Sequence, residues 1–255
     1  MFTAKDASTG NGGSKILQPG TRLCRIVDIQ IEAPAYDANN RQIVLKLEGV
    51  DQGDAFDGLE IDKNRPELGK YRGQIANVKG DLYDIKDFEW QGDTISKEQQ
   101  IYNWVNKLAR TLGVLNKMNA DNVSGETIED YVEQAKKYLV NPDLWALYTI
   151  CGKEYYTEGY DKPNYRLFLA SKSILEKEDR PKYKNKEPFI LASDDQPLDE
   201  LESSPKFIKF DPNVHIIKAK APDAPKEIPS FKPSIDPMSS NGVQTRKTDL
   251  DLPTA

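Results

Sequence analysis

The sequence predicts a mainly β fold with a helical insertion, an α+β arrangement in which a five-stranded barrel is interrupted by two helices and followed by an extended C-terminal tail. Three observations carry that expectation. Residues 27–32, the later half of a strand over 23–32, and residues 43–48 alternate with the period of half-buried strands. Residues 96–140 switch to helical spacing, and residues 144–152 and 164–173 switch back to strand composition. Eleven of the sixteen prolines then fall at position 181 or later.

Taken in order, residues 1–14 are rich in Gly, Ser, Thr and Asn and read as a flexible arm. Leu17-Gln-Pro-Gly20 is a turn, and the strand after it sets Val27, Ile29 and Ile31 against Asp28, Gln30 and Glu32. Arg25 breaks the alternation, which predicts a bulge nearby. Ile43, Leu45 and Leu47 alternate with Val44, Lys46 and Glu48, and the two strands read as an antiparallel pair. Residues 51–62 hold five acids and two glycines, and residues 63–79 hold five cations, Lys63, Arg65, Lys70, Arg72 and Lys79, with Tyr71 among them. Ile61, Ile75, Val78, Tyr83, Ile85, Phe88 and Trp90 are the apolar and aromatic material for further strands.

The first helix begins with Ser96 and Gln99 in a capping-box pattern, steps through Ile101, Trp104, Val105, Leu108 and Leu112, and stops at Gly113. A second, over 127–139, puts Ile128, Tyr131, Val132, Ala135 and Leu139 on one face. Helices placed between the third strand and the last two match the order of an OB-fold, a five-stranded barrel. The sequence thus divides into an arm over 1–14, an OB-like domain over 15–180 and a Pro-rich, largely extended tail over 181–255. Within that tail Phe189, Ile190, Leu191, Phe207, Ile208, Phe210, Ile216 and Ile217 are the residues able to dock it locally.

Composition narrows the function. The net charge is −6, the pI about 5.1 and the mean hydropathy −0.68, so this is no uniformly basic duplex-DNA coat. A local basic groove remains compatible with that balance, since nucleic acid feels charge within about one Debye length, ~8 Å. Cys24 and Cys151 are the only cysteines and form no CxxC pair, which fits a reducing, cytoplasmic setting. No signal-peptide core and no apolar run of ~20 residues points to export or a membrane span.

The stretch 144–173 carries the functional signal. Seven aromatics, Trp145, Tyr148, Tyr155, Tyr156, Tyr160, Tyr165 and Phe168, are interleaved with Lys153, Lys162, Arg166 and Lys172. Flat rings stack bases and cations neutralise phosphates of a single strand. Trp145, Tyr148 and Phe168 are assigned to the core. Tyr155, Tyr156, Tyr160 and Tyr165 are the candidate stacking residues, with Lys153, Lys162 and Arg166 beside them, and Lys70, Tyr71, Arg72 and Lys79 form a second candidate surface. Packing within a hairpin accounts equally well for the tyrosines, and a solvated face for the charges.

Ile16-Leu-Gln-Pro-Gly-Thr-Arg-Leu-Cys-Arg-Ile-Val-Asp-Ile-Gln-Ile-Glu32, Gly152-Lys-Glu-Tyr-Tyr156 and Asn164-Tyr-Arg-Leu-Phe168 together resemble a bacteriophage-type single-stranded DNA-binding protein over residues 14–175. The resemblance implies non-enzymatic cover of exposed strands in DNA replication, recombination or repair, in host cytoplasm. It also implies a tail tip that recruits replication or recombination proteins, here Asp249, Leu250, Asp251 and Leu252, although this chain has only two acids there and ends Pro-Thr-Ala. The acidic cluster over 194–202 is an alternative electrostatic competitor for the groove.

No cofactor or metal is expected. The acids of 51–62 lack EF-hand spacing, His215 is the only histidine, and Gly10–Gly13 lacks the P-loop frame. The alternative to strand binding is a structural or adaptor protein, such as a virion or assembly component, whose aromatic hairpin meets another protein.

Overall fold

Thirteen residues, Gly20–Glu32, form the first strand, β1, and its length lets it serve two partners. Residues 20–25 pair with β6 (Trp145–Tyr155) and residues 24–32 with β2 (Gln42–Gly49), both antiparallel. A register shift between Ile26 and Asp28 sets the bend. Because of it, Ile26 and Ile29, three apart, both face the core while Val27 lies half-buried between them.

The structure, a computed structural model, describes residues 17–49, 74–158, 162–171, 174, 175, 178, 180–192 and 197–219. After β2 come β3 (Ile75–Lys79), a hairpin of β4 (Phe88–Trp90) and β5 (Asp93–Ile95), and three helices, α1 (Lys97–Thr111), α2 (Leu115–Ala120) and α3 (Ile128–Leu139). Then follow β6, β7 (Asn164–Leu169), β8 (Phe189–Leu191), α4 (Leu198–Ser203), α5 (Pro212–His215) and β9 (Ile216–Ile217). The order β1-β2-β3-β7-β6, with β6 returning to β1, closes a five-stranded barrel. Only β3 and β7 among these five run parallel, at Lys79 and Phe168, and the helical insertion supplies part of the crossover that a parallel pair requires. This is the expected OB-like topology.

Inward-facing Ile29, Ile43, Leu45, Leu47, Val78, Ile150, Leu167 and Leu169 form one buried cluster with Ile101, Val105 and Leu108 of α1 and Val132, Ala135 and Leu139 of α3. Each of the Val, Leu and Ile side chains among them contributes about 1.5–3 kcal/mol by leaving water. The helices therefore plug the barrel with the stripes their spacing predicts. Gly113 ends α1 with φ 75°, a conformation in which a Cβ is costly. Ser96 caps α1 by accepting from the Gln99 N–H at 3.1 Å, but the Gln99 side chain turns to Asn103 instead of completing the box. The reciprocal box belongs to α3, where Thr127 Oγ1 accepts from the Asp130 N–H at 3.1 Å and the Asp130 carboxylate accepts from the Thr127 N–H at 3.2 Å.

Three sequence expectations are corrected. The insertion holds three helices and a hairpin, not two helices; α2 has six residues and only Met118 buried, too short for a periodic signal. Of the strand material expected before residue 91, Phe88 and Trp90 do lie in a strand, β4, but Tyr83 does not, and Tyr83, Phe88 and Trp90 stand 63%, 41% and 60% exposed. The packed region continues to Ala219 instead of ending near 180. There β8 and β9 pair with β6, and Leu198, Leu201, Phe207 and Ile208 are buried on the barrel. Its apolar residues dock in short runs between prolines, so no period announces them. The arm over 1–14 and the chain after 219 lie outside the described residues.

Candidate nucleic-acid interface

On a closed barrel every second residue of a strand faces outward. Part of that outer face is covered. Leu23, Trp145 and Leu147 lie under Ala192, Leu198, Leu201 and Phe207, and farther along, Cys151 and Phe168 lie under Ile208 with Ile217 against them. The C-terminal segment therefore defines the open surface by covering its neighbour.

Among the described residues, a row across four strands stays open. Lys46 of β2 is level with Asn77 of β3, and Lys153 of β6 is level with Arg166 of β7. Asn77 and Arg166 each stand two residues before the Lys79–Phe168 pair that joins β3 to β7, and therefore on the same outward face. All four are exposed. Three interstrand steps of about 4.8 Å make the row roughly 14 Å long. Two residue pairs up the hairpin, Tyr155 faces the same way, 40% exposed, with the Arg166 guanidinium 5.6 Å from its ring centroid. A cation held over an exposed ring contributes about 0.5–1 kcal/mol and holds both groups at the surface.

Of the predicted residues, Lys153, Tyr155 and Arg166 thus come together, and Lys79 lies half-buried at the row's edge on β3. Tyr156 is half-buried just beyond β6, and Lys162 is exposed before β7. Tyr165 is placed on the opposite face from Tyr155. Its ring lies over Gly152, where a Cβ would stand 2.7 Å from Tyr165 Cδ1 and 2.4 Å from Pro19 Cγ, and its partial burial, with the Glu154 charge adding, raises the phenol above its ordinary range. Tyr165 is therefore a packing residue of the hairpin. Lys70, Tyr71, Arg72 and Tyr160, the acids of 51–62, and the tail residues Asp249, Leu250, Asp251 and Leu252 lie outside the described residues. Trp145, Tyr148 and Phe168 are buried as expected, at 8%, 1% and 2% exposure.

Lys46 is the residue that sequence reasoning missed. It reads as the polar half of an alternating strand, and only the register with Asn77 puts it in line with Arg166 and Lys153. Asp28, beside Lys46 on β1, is engaged by Lys136 at 3.1 Å, which draws its carboxyl below the ordinary range and counters its negative charge at the end of the row.

The remaining reactive groups are buried. Burial pushes the Cys24 thiol up to about 12 and raises Cys151 as well, so both stay protonated. His215 is 1% exposed; its Nδ1 accepts from the Asp211 N–H at 2.8 Å, its ring stacks on Phe210, and burial lowers its pKa. Among the described residues, no group of three or more His, Cys, Asp or Glu side chains is arranged to hold a metal ion, and no helix is long and apolar enough to cross a membrane. No family model, curated protein sequence or solved structure matches this chain.

Proposed function

We propose that this protein binds single-stranded DNA without catalysis and with little sequence preference, covering exposed strands during replication, recombination or repair in the cytoplasm of a phage-infected host. The observation that carries the reading is the row Lys46, Asn77, Arg166 and Lys153 beside exposed Tyr155, on a stretch of these strands that, among the described residues, the C-terminal segment leaves open. Bases are identical in having a π-face, so stacking on Tyr155 tolerates any sequence, while the cations follow the phosphates that every strand carries. At the 3.4 Å per-strand spacing of stacked DNA the row reaches roughly four phosphates, and fewer on an extended strand. The strands used, the second and third with the hairpin of the last two, are those through which OB barrels meet oligonucleotides.

The test is a polarisation titration of the full chain with a labelled deoxyoligonucleotide at two salt concentrations. Binding weakens steeply with salt, and Tyr155→Ala lowers affinity by about 1–3 kcal/mol. Lack of binding at low salt refutes the reading. Capture of a protein partner by the same hairpin, with no response to the strand, favours the adaptor role instead.

A further inference from the structure

Beyond the row, where β3 ends, a cleft of about 440 Å³ opens between the barrel, the β4–β5 hairpin and α1. That volume lies within the range of small-ligand sites. Tyr83, Phe88 and Trp104 line it, and Lys79, on the outward face of β3 two residues from Asn77, forms part of its wall, making the cleft continuous with the proposed strand path.

Its construction is specific. The hairpin turns through Gln91 at φ 54° and Gly92 at φ 92°, the paired positive values of a tight two-residue turn, and so holds Phe88 over the cleft and Trp90 at its tip. Trp104 is fixed from behind: a Cβ on Gly80 would lie 3.0 Å from its ring, and Phe189 meets it edge-on at 6.3 Å. Amides stand among the rings. Asp84 engages Gln42 Nε2, and the carbonyls of Lys86 and Ser96 engage Gln100 Nε2, which leaves each amide oxygen without a hydrogen bond among the described residues. Asn103, whose oxygen is taken by Gln99, has its amide N–H groups left to donate. Of the charged groups on the wall, Lys107 is paired with Glu187 at 2.6 Å and Asp81 accepts from Ser171 Oγ at 3.0 Å.

We propose that this cleft receives one unstacked nucleobase of the bound strand, sandwiched by Tyr83, Phe88 and Trp104, its polar edge met by the amides of Gln42, Gln100 and Asn103, with Lys79 on the adjoining phosphate. The inference rests on the strand-binding reading and extends it to a pocket in the helical insertion. A purely aliphatic occupant would leave three amides unpaired, at a desolvation cost that a base edge avoids. A free anion would find aromatic walls and only one unpaired cation among those named. A base with its phosphate satisfies rings, amides and Lys79 together.

The test uses the full chain and a ten-nucleotide deoxyoligonucleotide, comparing wild type, Tyr83→Ala/Phe88→Ala and Lys153→Gln/Arg166→Gln. Stacking adds affinity without neutralising a phosphate. The first variant therefore binds roughly tenfold or more weakly with an unchanged salt slope, whereas the second loses slope. Both rings are exposed, so its thermal melt should match wild type. A halogenated-uracil oligonucleotide photo-crosslinked to the wild-type chain gives a second readout, with the adduct expected on Tyr83, Phe88 or Trp104. If wild type binds and Lys153→Gln/Arg166→Gln weakens it, while Tyr83→Ala/Phe88→Ala changes nothing or adducts form only elsewhere, the pocket is refuted and strand binding stands. If wild type does not bind at low salt, both fall.

Discussion

Lys46→Gln isolates the cation that register alone reveals. The side chain is exposed in the middle of β2, so the change leaves the barrel core, Leu45 and Leu47 on either side of it, untouched. For single strands log Kobs falls by about 0.7 per decade of salt for each neutralised phosphate, a counterion-release effect that vanishes near 1 M. Losing one phosphate contact should therefore cost about 0.7 log units at 0.1 M salt, roughly fivefold, and reduce the slope by about 0.7. Removing Lys46, Lys153 and Arg166 together should cost about 2.1 log units, roughly a hundredfold, under the same conditions. Polarisation titrations at four salt concentrations between 0.05 and 0.5 M, on the order of the range where such slopes are linear, read both numbers. If Lys46→Gln keeps the wild-type slope and affinity while Lys153→Gln loses both, the strand does not cross onto β2, and the row across four strands is not its path.

Three further outcomes follow from packing and protonation. Gly152→Ala drives a methyl to 2.4 Å from Pro19 Cγ and against the Tyr165 ring, so chemical denaturation should show a loss of about 1–3 kcal/mol; an unchanged midpoint contradicts the packing assigned to Tyr165. Thr127→Ala removes the α3 cap and should cost about 0.5–2 kcal/mol in the same assay, with Thr127→Ser retaining most of it. Burial holds the folded-state pKa of His215 below its ordinary 6.5, so below that pH the unfolded chain binds more protons than the folded one. Stability should fall as pH drops through 6.5 toward that lowered value and be insensitive to His215 above about 7.5, one unit past the ordinary value. His215→Gln should flatten this part of the profile, and melts that keep the same pH slope in the variant rule His215 out as its source.

The first two barrel strands were legible because each carries the period of one buried face, and β6 and β7 by their strand composition. Ile43, Leu45 and Leu47 need no partner to be identified, and the same holds for the stripe of α3. The hairpin cations and Tyr155 were legible as a composition, rings beside charges. Other residues were not, for two reasons. Tyr155 and Tyr165 look alike in sequence, and only their parity on β6 and β7, with Gly152 opening a slot beneath one ring, sends one to solvent and the other inward. Phe88 and Trp90 read as strand material and do form β4, but that hairpin pairs only with itself and never joins the barrel, and Tyr83 lies in the bend before it.

Local pattern by itself determined the fold class, the position of the helices between the third barrel strand and the last two, the burial of Trp145, Tyr148 and Phe168, and the hairpin as the place to look. Those are properties of short segments, set by side-chain period and turn chemistry. The tertiary structure decided which side chains share a surface: Lys46 with Arg166 and Lys153, Lys79 with Trp104, and the C-terminal segment over the other half of the barrel. Such neighbours are separated by tens of residues along the chain, and strand register and barrel closure, rather than the local period, bring them together.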